Sequence, residues 1–169
     1  YSNGLDLEWL MANPDRHQEY VDSVHRLFAR VLSLPVYTVA AMQGHTFAAG
    51  AMFSLAHDAR VMRADRGFWC LPEADINIPF TPAMSALIQA RLTPQVAHEA
   101  MTTARRYGGD AARDAAIVDL AVEEEAVRPT AVELAAAQVA KAASPTLGTI
   151  KARMYVPVLE LLRASGSAI

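Results

Sequence analysis

One stretch constrains the fold more than any other: the apolar run Val36 to Met42, then Gln43-Gly44-His45-Thr46-Phe47-Ala48-Ala49-Gly50-Ala51-Met52. The run is rich in β-branched and small apolar residues, so it predicts a strand buried on both faces. Small residues then make a turn, and a helix is expected from about Ala49 to His57. A turn of Gly and Ala lets a ligand carbonyl come close to main-chain N–H groups. The helix N-terminus behind it adds positive potential. Twenty-one residues after Met52, Glu73 closes the apolar run Phe68-Trp69-Cys70-Leu71-Pro72-Glu73. Such donors suit an oxyanion, and such a carboxylate suits proton transfer.

The rest of the chain fits an α/β core followed by helices. Tyr1 to Leu7 reads as a strand end with a turn at Asn3-Gly4. Asn13-Pro14-Asp15 starts a helix, and Val21, Val24, Leu27, Phe28 and Val31 recur at helical spacing until Pro35. Further strands are expected at Arg60 to Met62, at Phe68 to Leu71 and, as strand or extended connection, at Ile117 to Val122. Thr81-Pro82 and Thr93-Pro94 each read as a cap and a first-turn proline, and Ala111 to Ala116 as a short helix. Thr130 to Glu133 has capping-box spacing, with Val132, Ala135, Ala136 and Val139 as the apolar face behind it. Ser144-Pro145 starts a last helix with Leu147, Ile150, Met154 and Leu161 in phase, kinked at Pro157.

Composition removes several function classes. The 169 residues are 53% apolar with a formal net charge of -3, which suits one folded domain and argues against a nucleic-acid binder. No apolar run approaches the ~20 residues of a membrane span, and no N-terminal stretch reads as a signal peptide. The single cysteine, Cys70, fits a reducing compartment, and the five histidines show no metal-ligand spacing, so no metal is expected. A cytoplasmic enzyme is the default expectation. The opening Tyr1-Ser2-Asn3-Gly4-Leu5-Asp6-Leu7 reads like the interior of a domain, so preceding residues are expected.

Several segments, in order, resemble the crotonase (enoyl-CoA hydratase/isomerase) superfamily. Tyr1 to Asp6 is similar to its F-(S/C)-x-G-x-D turn. Val39 through Arg60 is similar to its glycine-rich strand–turn–helix segment, and Phe68 through Pro79 to its F-x-x-P-E segment. Asp110 to Asp119 is similar to a later A-x-x-x-G-L-V-D stretch. Gly44 to Gly50 and Arg66 to Ile76 look most like the Δ3,Δ2-enoyl-CoA isomerases. The resemblance implies an α/β fold with a ββα spiral core over residues 1–125 and a C-terminal helical region, used for trimerisation, over 126–169. It also implies that the family's first strands, which carry some coenzyme A contacts, precede Tyr1.

It implies roles as well. Glu73 is the expected catalytic acid–base by the resemblance; read from the residues alone, a solvated glutamate after a proline turn is the commoner outcome. Ile76, Ile78, Leu71 and Trp69 are expected to dry it and raise its pKa. The N–H groups of Leu5 and Ala49 form the expected oxyanion hole, with Ala49 where many members carry Gly. Met52 stands where the hydratases place a second glutamate, which favours a double-bond shift over hydration; ordinary helix core is the plainer alternative. Trp9, Phe47, Met52, Trp69, Leu71 and Phe80 are candidate acyl-binding residues, though aromatic residues at such spacings are as often core. Asp75 is a second acid or a loop-surface residue, and His45 a turn residue or a ligand contact. Lys151 and Arg153 meet coenzyme A phosphates or solvent. The implied activity is conversion of a 3-enoyl-CoA to the trans-2-enoyl-CoA. No cofactor is implied beyond the coenzyme A of the substrate, and the implied assembly is a homotrimer or a dimer of trimers. Another acyl-CoA reaction (hydratase, thioesterase, decarboxylase) or a non-catalytic acyl-CoA-binding subunit remains an alternative.

Overall fold

The computed structural model describes residues 1–164. In chain order the elements are α1 (Leu7–Ala12), α2 (His17–Leu32), β1 (Val39–Met42), β2 (Thr46–Phe47), α3 (Ala49–Leu55), β3 (Ala59–Arg63) and β4 (Trp69–Cys70). Then come α4 (Glu73–Ile76), α5 (Pro82–Arg91), α6 (Pro94–Thr103), α7 (Gly109–Asp114), β5 (Leu120–Val122), α8 (Glu124–Ala136), α9 (Thr146–Met154) and α10 (Val156–Arg163). Two parallel sheets organise them. One has the order β1-β3-β5, the other pairs β2 with β4, and Ser2 bridges to Thr46 alongside β2. The main core joins Phe28 and Leu32 of α2, Met52 and Leu55 of α3, Leu87 and Ile88 of α5, and Leu159 and Leu162 of α10. Among the described residues, no helix is long and apolar enough to cross a membrane.

Local hydrogen bonding explains most boundaries. β1 starts at Val39 rather than Val36; just before it the Thr38 N–H and hydroxyl both donate to the Asp58 carboxylate, at 2.8 and 3.0 Å, while the Thr38 carbonyl accepts from the N–H groups of Asp58 and Ala59. α3 stops at Leu55 rather than His57, where the Arg91 guanidinium takes over the carbonyls of Leu55, His57 and Asp58. A short helix, α1, follows the first turn where none was expected; the Asp6 carboxylate caps it by accepting from the Trp9 N–H at 2.9 Å.

The C-terminal third departs most from the sequence pattern. α8 begins at Glu124, six residues before Thr130, and runs through Pro129. An interior proline costs about 3 kcal/mol. Val127 and Ala131, both buried in a cluster with the partly buried Val39, Ala41 and Val122, hold the helix regardless. The expected apolar face is therefore rotated away, with Val132 58% and Val139 71% exposed. Similarly, Pro157 does not kink one long helix. It stands in the first turn of a separate one, α10, whose Val158, Leu159 and Leu162 are buried while Ile150 and Met154 of α9 are exposed. Lys151 is neither a solvated residue nor an outward-facing cation: its ammonium is buried, donating to Asp58 at 2.8 Å and to the Val36 carbonyl at 3.2 Å. Arg153 is exposed.

Candidate active site

The site forms where two turns press together. Gly4 has φ 100°, and a Cβ there would stand 2.9 Å from the Ala48 Cβ and 3.1 Å from the Ala49 nitrogen. A Cβ on Gly50 would stand 2.4 Å from the Ser2 carbonyl oxygen. Only glycine at both positions lets the Ser2–Leu5 turn lie against the start of α3. Ser2 is clamped from both sides: its N–H donates to the His45 carbonyl at 3.1 Å, and its carbonyl accepts from Phe47 at 2.9 Å. The result sets Gly4, the residue before Leu5, against Ala48 and Ala49. Ala49 is the first residue of α3, so its N–H has no partner within the helix.

The Gly-like backbone falls one residue earlier than the family pattern suggested. Ala49 carries no positive φ; Ala48 does, at φ 51° and ψ -126°. This is a conformation that costs a non-glycine residue about 1–3 kcal/mol. Its neighbours hold it: the Ala48 N–H donates to the Cys70 carbonyl and its carbonyl accepts from Met52, each at 3.1 Å.

Glu73 arrives on the adjacent strand. β2 and β4 run parallel, Phe47 opposite Cys70, so their C-terminal ends deliver Ala48-Ala49 and Pro72-Glu73 to one place. Glu73 opens the single-turn helix α4. Asn77, in the left-handed region at φ 56°, ends that helix, and the Ile78 N–H closes the turn on the Glu73 carbonyl at 3.1 Å. The Glu73 side chain is buried, and its Oε2 has no hydrogen-bond partner. Burial pushes its carboxyl up to about 7, against a smaller downward pull from its own main-chain N–H.

An apolar cavity of about 130 Å³ joins these parts. Leu5, Ala49, Met52, Phe47 and Glu73 all line it, and Met84 and Ile78 help to close it. Among the described residues, Glu73 is the one titratable side chain in its wall; Asp75 is exposed and lies outside it. Leu7 and Ile76 line the cavity yet are 45% and 44% exposed, which marks its open side.

The other candidates go elsewhere. Trp69 and Leu71 are core residues outside the cavity wall, Trp69 donating to the Ser54 hydroxyl at 3.1 Å and packing edge-on to Tyr107. Trp9 packs on Tyr20 and under Arg16, away from the cavity. Phe80 lines a neighbouring concavity with Met101, which shares Glu73 and Ile78 with the main one. His45 is exposed, its ring against Phe47 and Phe68. Asn3, Leu7 and Met84 line the cavity without having been singled out in the sequence. Met84 had a signal, since Thr81 caps α5 and fixes where Met84 falls. Cys70 is buried, its thiol pushed up to about 11, and donates to the Ala104 carbonyl, as an inert core residue does. Among the described residues, no group of His, Cys, Asp and Glu is arranged to hold a metal ion.

A family model described as enoyl-CoA hydratase/isomerase matches residues 1–164. The chain belongs to this family. It is 36% identical over 131 residues to enoyl-CoA delta isomerase 3 of Arabidopsis thaliana, covering 75% of this chain and 55% of that protein. It is 34% identical over 143 residues to the peroxisomal enoyl-CoA delta isomerase 2 of the same plant, covering 79% and 60%. The chain thus spans little more than half the length of these curated relatives. Human mitochondrial delta3-delta2-enoyl-CoA isomerase superposes with TM-score 0.86 at 25% identity, over 95% of this chain and 62% of that one. A probable enoyl-CoA hydratase of Mycobacterium tuberculosis gives 0.87 at 25% identity, over 98% and 70%. The α/β crotonase-type fold is therefore shared with relatives titled both isomerase and hydratase. The composition of the cavity, not the fold, has to distinguish them.

Proposed function

We propose that this chain catalyses the isomerisation of a 3-enoyl-CoA to the trans-2-enoyl-CoA. The observation that carries the reading is the lone, buried carboxylate of Glu73 sharing a cavity with Met52, Leu5 and Ala49. The names of the Arabidopsis relatives support it.

In this mechanism the Glu73 carboxylate removes a proton from C2 of the substrate. The C2–H electron pair moves toward the thioester, and the negative charge rests on its oxygen, which accepts from the N–H groups of Leu5 and Ala49. One such donor is worth about 2.7–4 kcal/mol in a comparable hole. Glu73, now a neutral acid, delivers the same proton to C4, and the double bond settles between C2 and C3. Burial serves both halves, because a carboxyl poised near neutrality can take and return a proton with little cost either way. Hydration needs a second group to hold and split water, and Met52 supplies none. No cofactor enters beyond the coenzyme A of the substrate. The assembly belonging to this reading is a homotrimer or a dimer of trimers, supported by the exposed Val132, Val139, Ile150 and Met154.

The deciding experiment offers a 3-enoyl-CoA in deuterium oxide and analyses the product. A single shuttling carboxylate should return part of the original C2 hydrogen to C4, with no 3-hydroxyacyl-CoA formed. A product that is mainly hydrated overturns the assignment. The rate should also depend on pH. Because Glu73 must begin ionised and its carboxyl lies at about 7, kcat/KM should fall about tenfold per pH unit below neutrality. A pH–rate profile flat down to about pH 5 contradicts the role.

Chain length offers a further test. The tail beyond C4 leaves over Leu7 and Ile76, with Met11 one turn further along α1 and 76% exposed. Each added methylene should raise kcat/KM about 2–4-fold until the tail passes Met11. A series of hexenoyl, octenoyl, decenoyl and dodecenoyl substrates checks this, and Leu7→Ser should flatten the slope.

A further inference from the structure

We propose that Ala48 is a positioning residue: its methyl group, held in a strained backbone, braces the Gly4-Leu5 turn and so sets the spacing of the two oxyanion donors. This rests on the role proposed for Leu5 and Ala49. Ala48 adopts φ 51° and ψ -126°, a region glycine enters freely and alanine does not. A chain that needed only the backbone path would carry glycine there. The methyl group instead occupies a defined place, since a Cβ built on Gly4 would come within 2.9 Å of it. Ala48 therefore lies directly against Gly4, at the point where the two turns meet. Leu5 follows Gly4 and Ala49 follows Ala48, so this contact lies between the residues whose N–H groups are to converge. Both ends of the Ala48 peptide are tied down, by Cys70 and by Met52, so a shift at Gly4 is not absorbed by Ala48. Removing the methyl opens a gap on this side of Gly4, where the next atoms facing a Cβ built there are main-chain ones, the Ala49 nitrogen at 3.1 Å and the Phe47 carbonyl oxygen at 3.3 Å; the bond from the Gly4 N–H to the Ser2 hydroxyl lies within the turn itself and does not fill that gap.

Strain and function then pull in opposite directions, which makes the idea testable. Ala48→Gly relieves the strain and should raise Tm by about 2–4 °C after the entropy that glycine adds to the unfolded chain. The same change loosens the brace. With a 3-enoyl-CoA, kcat should fall about tenfold at nearly constant KM, since a slight misplacement of catalytic groups is felt mainly in the transition state. Bound acetoacetyl-CoA reports the hole independently, because its enolate absorbs in the near ultraviolet and converging donors raise the enolate fraction above that of the free compound at the same pH; this excess should fall in parallel. Ala48→Ser keeps the Cβ and should retain most of the kcat and of the enolate signal. If Ala48→Gly is more stable but keeps both kcat and enolate signal, or if it is less stable than the parent, the proposal is overturned. Failure of the parent protein to turn over any 3-enoyl-CoA would count against the proposed function instead; Tm and the acetoacetyl-CoA signal would still decide the role of Ala48.

Discussion

Glu73→Gln should lower isomerase kcat by about 10²–10⁴-fold, the usual worth of a positioned proton-transfer group, with little change in KM. Glutamine fits the same space in the cavity wall but neither accepts the C2 proton nor returns it at C4. Steady-state kinetics with a 3-enoyl-CoA measure this directly, and undiminished turnover ends the assignment.

The same substitution should stabilise the fold, and in a pH-dependent way. In the unfolded chain Glu73 has an ordinary carboxyl; in the folded chain burial holds it at about 7. At low pH both states are protonated and burial carries no ionisation penalty. As pH rises from about 4.5 toward 7, the unfolded chain releases its proton first, so the folded state loses stability across that window. Glutamine has no proton to release. Glu73→Gln should therefore exceed the parent in stability at about pH 8, by up to about 3 kcal/mol, with the gap closing toward about pH 4. Denaturant unfolding at the two pH values tests the sign. A parent and variant that track each other across this range would show that the carboxylate is solvated after all.

Gly50→Ala should be nearly as damaging to activity, for a geometric reason. Gly50 sits in the first turn of α3, where alanine is the better helix former by about 1 kcal/mol. A stabilising change would be expected on helix propensity alone. Yet the new Cβ would stand 2.4 Å from the Ser2 carbonyl oxygen, and the Ser2 Cβ and Oγ are at 2.7 and 2.8 Å. Ser2 cannot simply yield, because it is bonded to His45 and Phe47 on either side. Relief requires those bonds to stretch and the Ser2–Leu5 turn to lift off α3, which should part the two N–H groups proposed as donors, those of Leu5 and Ala49. We expect kcat/KM to drop about 100-fold or more, with a stability loss of about 1–3 kcal/mol. Activity within about twofold of the parent would show that the two turns do not have to touch.

Both predictions depend on residues that the sequence had already made conspicuous, whereas the residues around them were hidden for identifiable reasons. Gly4, Gly50 and Glu73 stand out because glycine and an isolated acid in apolar surroundings each have few ordinary uses. Asn3 carries no such mark, since an asparagine in a turn is common anywhere, and Met84 had only the indirect signal of the Thr81 cap before it. Trp69 and Leu71 misled in the opposite direction: they are close to Glu73 in sequence, but the whole segment Trp69 to Leu71 is buried in the core and outside the cavity wall.

Most of the strands and helices, the glycine-dependent turn and the isolated acid were set by local chemistry, so the amino-acid order was enough to reveal them; α1 and the break between α9 and α10 were not among them. Three matters depended on contacts between distant segments: which side of α8 is buried, that Lys151 turns inward to Asp58, and that the strained residue is Ala48 rather than Ala49. The reason is physical. Periodicity and turn propensity act over a few neighbouring residues, while the buried face of a helix, the partner of a charge and the backbone angle of one alanine are imposed by whatever packs against them.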